Sequence, residues 1–360
     1  MESSPIGGSG ANRPLGEAPL VTVGIPCLNE ERYIARCLDG VLAQDYPGEV
    51  EIIVADGGSS DRTREILDRY ARQHSHVRWI PNSRRLQSAG MNEIICVAEG
   101  DVIVRLDAHA QYATDYVRRC IEVLARTGAD NVGGAQRARA ETRFQRALCA
   151  ALDSKLGMGG AAYRSDTAEG YVDTVFCGAF RREVFDRVGM YDPQAITNED
   201  AELNQRILEA GGRIYLSRDI VAYYYPRGSY ASLSKQYFRY GMGRARTLLK
   251  RGRFPTIRPV IPFLMVLGGS SLLVLRPLAP STWALFGAYA ALAGVEALRV
   301  AGRQGPAMVL TTWTLFPVLH ASHGLGFASG LLRYGLAPDW GEPERPAQRV
   351  PSQREAVSAA

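Results

Sequence analysis

Lysine is nearly missing from this 360-residue chain: it stands only at positions 155, 235 and 250, so the 42 basic residues are almost all arginine. The formal net charge is only +5, and no motif that reads RNA or DNA is present, so no nucleic-acid partner is expected. The six cysteines (27, 37, 96, 120, 149 and 177) include no Cys-x-x-Cys pair and no metal-ligand spacing. They sit in apolar runs, as reduced small hydrophobes of a cytosolic domain do. No G-x-G-x-x-G follows the first apolar run, which argues against a dinucleotide-binding enzyme. The start of the chain lacks the charged head and apolar run of a signal peptide, and residues 1–18, rich in Gly and Ser, are expected to be a disordered lead-in. No internal repeat is evident.

What the chain does have is alternation. An apolar run at residues 20–25 ends in Pro26, and a helical spacing of Tyr33, Ile34, Cys37, Leu38, Val41 and Leu42 follows over about 30–43. A second run, 50–55, ends in Asp56-Gly57-Gly58-Ser59-Ser60-Asp61, where Ser60 or Asp61 can cap a helix over 63–73. Strand 77–80, helix 88–98, strand 102–106, helix 114–127 and strand 131–135 continue the pattern. Strands alternating with helices of about ten to fifteen residues predict a parallel, doubly wound α/β sheet, which binds ligands beyond the strands' carboxyl ends. Asn29-Glu30, Asp56 to Asp61 and Asp107 to His109 all fall there. Residues 157–164, rich in small side chains, read as a mobile loop; 181–188 and about 200–210 read as helices, the second opening with Glu199 and Asp200.

The stretch Val104 to Ala110 leaves a buried strand and presents Asp107 and His109 two residues apart, hence on one side. A carboxylate and an imidazole so placed can hold a divalent cation, and a cation there can hold a diphosphate. Alone, an Asp-x-His at a strand end is a polar turn after a core strand; the rest of the chain has to carry the metal reading.

After Pro255 the composition turns apolar in three runs, 257–275, 283–298 and 306–332. Each is long enough, or nearly so, to cross a hydrocarbon core of ~30 Å. Three buried helices of a soluble domain would also account for them, given Glu296, His320 and His323. Arginines and a lysine at 244–258, with Arg299 and Arg303, outnumber the basic residues of the other connections. The positive-inside rule then places the N-terminal domain in the cytoplasm and the tail on the far side of a multi-pass inner-membrane protein. The tail, 336–360, is expected to be disordered. His320 and His323 read as polar packing between helices rather than a metal pair.

The residues Val21 to Glu30, Ile53 to Thr63, Asp107-Ala108-His109 and Glu199-Asp200, in this order and spacing, resemble the inverting, nucleotide-sugar-dependent glycosyltransferases of family 2, which have the GT-A fold. The resemblance covers roughly 19–250, followed by a membrane region at 257–335, and Arg105 to Ala110 brings it nearest the bacterial exopolysaccharide enzymes. It implies a membrane enzyme that moves a sugar, glucose by that likeness, from a UDP-sugar to a lipid-linked saccharide. It also implies roles. Asp56 would accept a hydrogen bond from uracil; Pro26, Asn29 and Glu30 would border the nucleoside, although Asn29 is equally a helix cap. The segment Asn82 to Asn92 would pass under the nucleotide, with Arg84 or Arg85 at the diphosphate. Asp107 would hold Mg²⁺ or Mn²⁺. The family's commoner D-x-D has an acid where this chain has His109, and imidazole suits Mn²⁺ better than Mg²⁺, which leaves open the metal and whether position 109 ligates it. Asp200 would be the catalytic base, with Glu199 sharing the role or favouring the helix start. Gln236 to Tyr240 is similar to the Q-x-x-R-W element of polysaccharide synthases, so Gln236, Arg239 and Tyr240, with Arg227, would meet the acceptor and diphosphate; an amphipathic surface helix accounts for the same residues. Transfer to a polyprenyl phosphate, or a GT-A scaffold without catalysis, are the alternatives.

Overall fold

The computed structural model describes residues 14–158, 167–252, 257–340 and 345–346. Its centre is an eight-stranded sheet. β1 (Val21–Cys27), β2 (Val50–Asp56), β3 (Val77–Pro81) and β4 (Val102–Arg105) form its parallel half in the order β3-β2-β1-β4. The crossovers are α1 (Ile34–Leu42), α2 (Thr63–Gln73) and α3 (Gln87–Val97). Ile34, Cys37, Leu38 and Val41 of α1 recur at helical spacing and are all buried, so the apolar face closes onto the sheet. The two-residue strand β5 (Gln111–Tyr112) and α4 (Tyr116–Thr127) lead to β6 (Asn131–Gly134), and α4 stops at Gly128, which adopts the left-handed φ of 61°.

The sheet is not parallel throughout. β7 (Gln136–Ala138), α5 (Arg143–Asp153), α6 (Lys155–Met158) and β8 (Gly170–Tyr171) precede β9 (Phe176–Arg181), which inserts antiparallel between β4 and β6. Pairing of Val104 with Ala179 and of Val102 with Arg181 means that the beginning of β9 lies beside the end of β4. Residues 173–176 therefore reach the ligand-binding edge. α7 (Glu183–Val188), α8 (Glu199–Glu209) and β10 (Ile214–Leu216) complete the sheet order β4-β9-β6-β10-β8, while β11 (Ala222–Tyr224) joins β5 and β7 in a small second sheet. Of the expected 157–164 loop, residues 157 and 158 end the short helix α6 and 159–164 lie outside the described residues, as do 1–13 of the lead-in.

α9 (Tyr230–Arg251) links this domain to three helical segments long and apolar enough to cross a membrane: α10 (Ile261–Leu275) with the 3-10 turn Arg258–Val260 before it, α11 (Pro280–Ala301) with the turn Gly302–Gln304 after it, and α12 (Pro306–Leu336). Alanines of α5 and α11 and Leu315, Phe316 and Leu319 of α12 form a shared apolar cluster with Leu233 and Tyr237 of α9. The start of the tail, at Asp339 and Trp340, lies against α9. The Asp339 carbonyl accepts from Arg246 Nε at 2.9 Å, and Arg246 also stacks over Trp340. Residues 341–344 and 347–360 lie outside the described residues.

Candidate active site

The turns after β1 and β2 are laced together. Asn29, at φ 57°, donates its N–H to Ser59 Oγ and accepts at Oδ1 from the Ser60 N–H, both at 2.8 Å. The Glu30 and Glu31 N–H groups donate to Thr63 Oγ1 and Asp61 Oδ2. Asn29 thus braces two loops rather than capping a helix by its side chain, and Asp61 accepts from the Thr63 N–H at the start of α2. Asp56 is fully buried. Burial opposes its charge, but bonds from Ser59 and from Arg64 Nε (2.6 Å) outweigh burial and hold the carboxyl below its usual range. A cleft of about 180 Å³ has walls that include Pro26, Glu30, Asn82, Arg85, Asp107 and His109; Asp56 is not on its lining and is tied to it through its backbone, its carbonyl accepting from the Asn82 N–H at 2.8 Å. Arg84 and Arg85 are both exposed, and of the two it is Arg85 that stands on this wall. Asn92 is spent elsewhere, exchanging two hydrogen bonds of 2.9 Å with the Tyr191 backbone.

Gln87, Asp107 and His109 also line a second, larger cavity of about 860 Å³, so the two hollows meet at them. Gln87 Nε2 donates to Asp107 Oδ1 at 2.7 Å. His109 Nδ1 lies 3.2 Å from Glu30 Oε1. Burial disfavours the imidazolium, but Glu30 and Asp107 outweigh it and raise the His109 pKa. Among the described residues no three His, Cys, Asp or Glu side chains converge as a ready-made metal cage. One carboxylate and one imidazole on a shared wall fit a cation that takes its remaining ligands from a diphosphate and water.

Sequence reasoning left Arg105 without a role. Its guanidinium, 3% exposed, joins the acids that the chain had kept far apart: it pairs with Asp200 Oδ1, with Glu199 Oε1 at 2.9 Å and with Asp107 Oδ1 at 3.4 Å. The Tyr191 ring lies 5.9 Å from it. The signal was legible, because Arg105 and Asp107 alternate onto one side of a strand end, and a buried arginine there needs several acceptors. Burial, with the negative charges of Glu199 and Asp107, pushes the Asp200 carboxyl up to about 6, against the pull of Arg105.

Asp200 enters this cluster because Asn198, at φ 61°, turns the chain into α8. The preceding loop is tied to α9: Thr197 Oγ1 donates to the Arg239 carbonyl at 3.1 Å and Asn198 Nδ2 to the Tyr240 carbonyl at 3.2 Å. The buried Asp192 accepts from Arg246 (2.8 Å) and Lys250 (2.6 Å) of the same helix. Arg227, Gln236, Arg239 and Tyr240 all line the large cavity, where Gln236 Nε2 bridges to Tyr224 Oη and Tyr240 Oη. The cavity continues past Lys235, Arg244 and Arg258 to Ile261, Pro262 and Met265 of the apolar helices. His320 spends both ring nitrogens on Tyr289 Oη and the Leu156 carbonyl, in keeping with polar packing.

A mixed α/β sheet with carboxylates and an arginine converging beyond its strand ends is the GT-A arrangement of a glycosyltransferase. The chain belongs to glycosyl transferase family 2: the family model matches residues 22–189. It is 38% identical over 240 residues to the succinoglycan biosynthesis protein ExoA of Rhizobium meliloti, covering 66% of this chain and 73% of that one. A Methanococcus voltae dolichyl N-acetyl-α-D-glucosaminyl phosphate glucuronosyltransferase is 28% identical over 243 residues, covering 65% of this chain and 75% of that protein. In fold the chain is similar to a Pyrobaculum calidifontis mannosyltransferase in complex with GDP-mannose and Mn²⁺, with a TM-score of 0.62 at 20% identity over 89% of both chains. With family membership the non-catalytic scaffold is set aside.

Proposed function

We propose that the protein is a membrane-bound inverting glycosyltransferase that moves a sugar, glucose in the first instance, from a UDP-sugar to a lipid-linked saccharide in exopolysaccharide or cell-surface glycan synthesis. The observation that carries this is one continuous cavity, with Asp107, Glu199 and Asp200 at its catalytic end and cations and apolar helix residues at the other. Pro26, Asn29, Glu30, Asp56 and Arg85 belong to the nucleotide side. Asp107, with His109, would hold Mn²⁺ or Mg²⁺, which when bound neutralises the leaving diphosphate. Asp200 takes the proton of the acceptor hydroxyl as that oxygen bonds to the anomeric carbon. The bond from that carbon to the diphosphate oxygen breaks on the opposite face, and UDP leaves with the electron pair. An α-linked donor thus yields a β-linked product.

Arg227, Gln236, Arg239 and Tyr240 would meet the acceptor's sugar and its anionic linkage, and the apolar floor its lipid chain. The name of the Methanococcus relative, which acts on a saccharide carried by a dolichyl phosphate, supports an acceptor that already bears a sugar. The catalytic domain would face the cytoplasm at the inner membrane. The test is a donor screen on membranes with Mn²⁺ and Mg²⁺ compared, Asp200→Asn as the blank, and chromatography of the radiolabelled lipid product. Label on a polyprenyl phosphate bearing one sugar would replace the acceptor assignment; no metal-dependent transfer from any nucleotide sugar would sink the whole reading.

A further inference from the structure

Helices α9 and α12 run side by side. Tyr230 Oη meets Thr314 Oγ1 at 2.6 Å, the Gly326 Cα faces the Phe238 carbonyl, Gly330 packs on Met242, and the Arg246 guanidinium lies 6.0 Å from the Tyr334 ring. The partners advance together along both helices, so the two are parallel neighbours over the whole of α9. A side chain at Gly326 or Gly241 would strike the other helix's backbone, which is how they come so close.

The opposite side of α9 holds Asp192, Thr197 and Asn198 of the catalytic domain. The helix also carries Lys235, Arg239, Arg244, Arg246, Lys250 and Arg251. A helix with six cations, two of them (Arg246 and Lys250) bonded to the buried catalytic-domain Asp192, does not sit at hydrocarbon depth. Since α12 is fixed along it, α12 stays at the same level, with Leu325, Leu332 and Leu336 on its exposed side.

The other two helices behave differently. α10 leaves this layer where Pro262 packs on Gly324, and α11 comes back to it where Tyr289 Oη meets His320 Nδ1 at 2.7 Å and Trp313 Nε1 donates to the Ala290 carbonyl at 2.8 Å. Beyond those contacts Val274, Leu275 and Leu278 are 78%, 79% and 91% exposed. At 1.5 Å per residue the free part of the hairpin is about 20 Å deep, set against a hydrocarbon core of ~30 Å.

We infer that only the α10–α11 hairpin enters the bilayer, from the catalytic side and back to it, while α12 lies in the membrane plane over α9, so that both ends of the chain share one side. The hairpin's partner is lipid hydrocarbon, and that of α12 is the headgroup boundary. This replaces three crossings by an even number and rests on the membrane reading, though not on the identity of the base. The test uses the full chain in a bacterial inner membrane, with green fluorescent protein or alkaline phosphatase fused at either end, since the first reports the cytoplasm and the second the periplasm. Fluorescence at both ends with phosphatase at background at both supports the inference. An active phosphatase at the C-terminus with a fluorescent N-terminus overturns it, because α12 then crosses. Recovery of all fusions in the soluble fraction overturns the membrane reading and the inference with it, and leaves the transferase assay to be judged separately.

Discussion

Arg105 decides how the acids of the site behave. Asp107, Glu199 and Asp200 share this one buried cation, and deleting a partner from such a group leaves charge without compensation. A base must be ionised to accept a proton, and the Asp200 carboxyl is pushed up to about 6. The transfer rate is therefore expected to fall as pH drops through about 6, with a midpoint there in a pH–kcat profile. Arg105→Gln removes the cation that opposes this rise, so the midpoint moves to higher pH; a profile unchanged in that variant would remove Arg105 from control of the base. Asp200→Asn should cost about 10² to 10⁴ in kcat, the range for general base catalysis, with donor KM little altered.

At the scale of elements, the lever is α9. Thr197 and Asn198 lie so close to Gly243 that a Cβ there would collide with both. Alanine gains about 1 kcal/mol over glycine inside a helix, but relieving that collision costs about 1–3 kcal/mol, so Gly243→Ala should leave the melting temperature level or modestly lowered. It should nonetheless lower kcat by about tenfold or more, because a displacement on the order of 1 Å at a reacting group costs up to about 10²-fold. Donor KM should stay put, since the cleft around Pro26 and Arg85 lies on other elements; steady-state kinetics with the acceptor saturating would read this. Much of this scale was legible beforehand. The strands of the parallel half, α2, α3, α4 and α8 follow from apolar spacing, which records burial directly. The antiparallel insertion of β9 was not legible, because Phe176 to Arg181 has the same apolar character in either direction and only its partners fix the sense. Nor was the union of Arg105 with Asp200, which depends on a left-handed turn at Asn198 and on the docking of α9, neither written in local periodicity.

For the molecule as a whole, the proposed function requires the two ends of one cavity to meet substrates from different phases, the nucleotide sugar from water and the acceptor from lipid. Val274 and Leu278 lie at the exposed end of the hairpin. Replacing both with Asp should shift the protein from the membrane pellet toward the soluble fraction, since an acid at hydrocarbon depth costs roughly 2.5–3.5 kcal/mol. Donor hydrolysis, which needs no lipid, should survive in that variant while transfer to lipid fails; loss of both together would mean that the hairpin stabilises the sheet instead. The stitching of Arg246 to Asp192 on one side and to Asp339 and Trp340 on the other has a bearing on biogenesis. A nascent chain can build its nucleotide cleft from the first hundred or so residues to leave the ribosome, but the brace behind the proton acceptor is finished only when Trp340 emerges. In chain order that brace therefore closes after the apolar hairpin of α10 and α11 has been made.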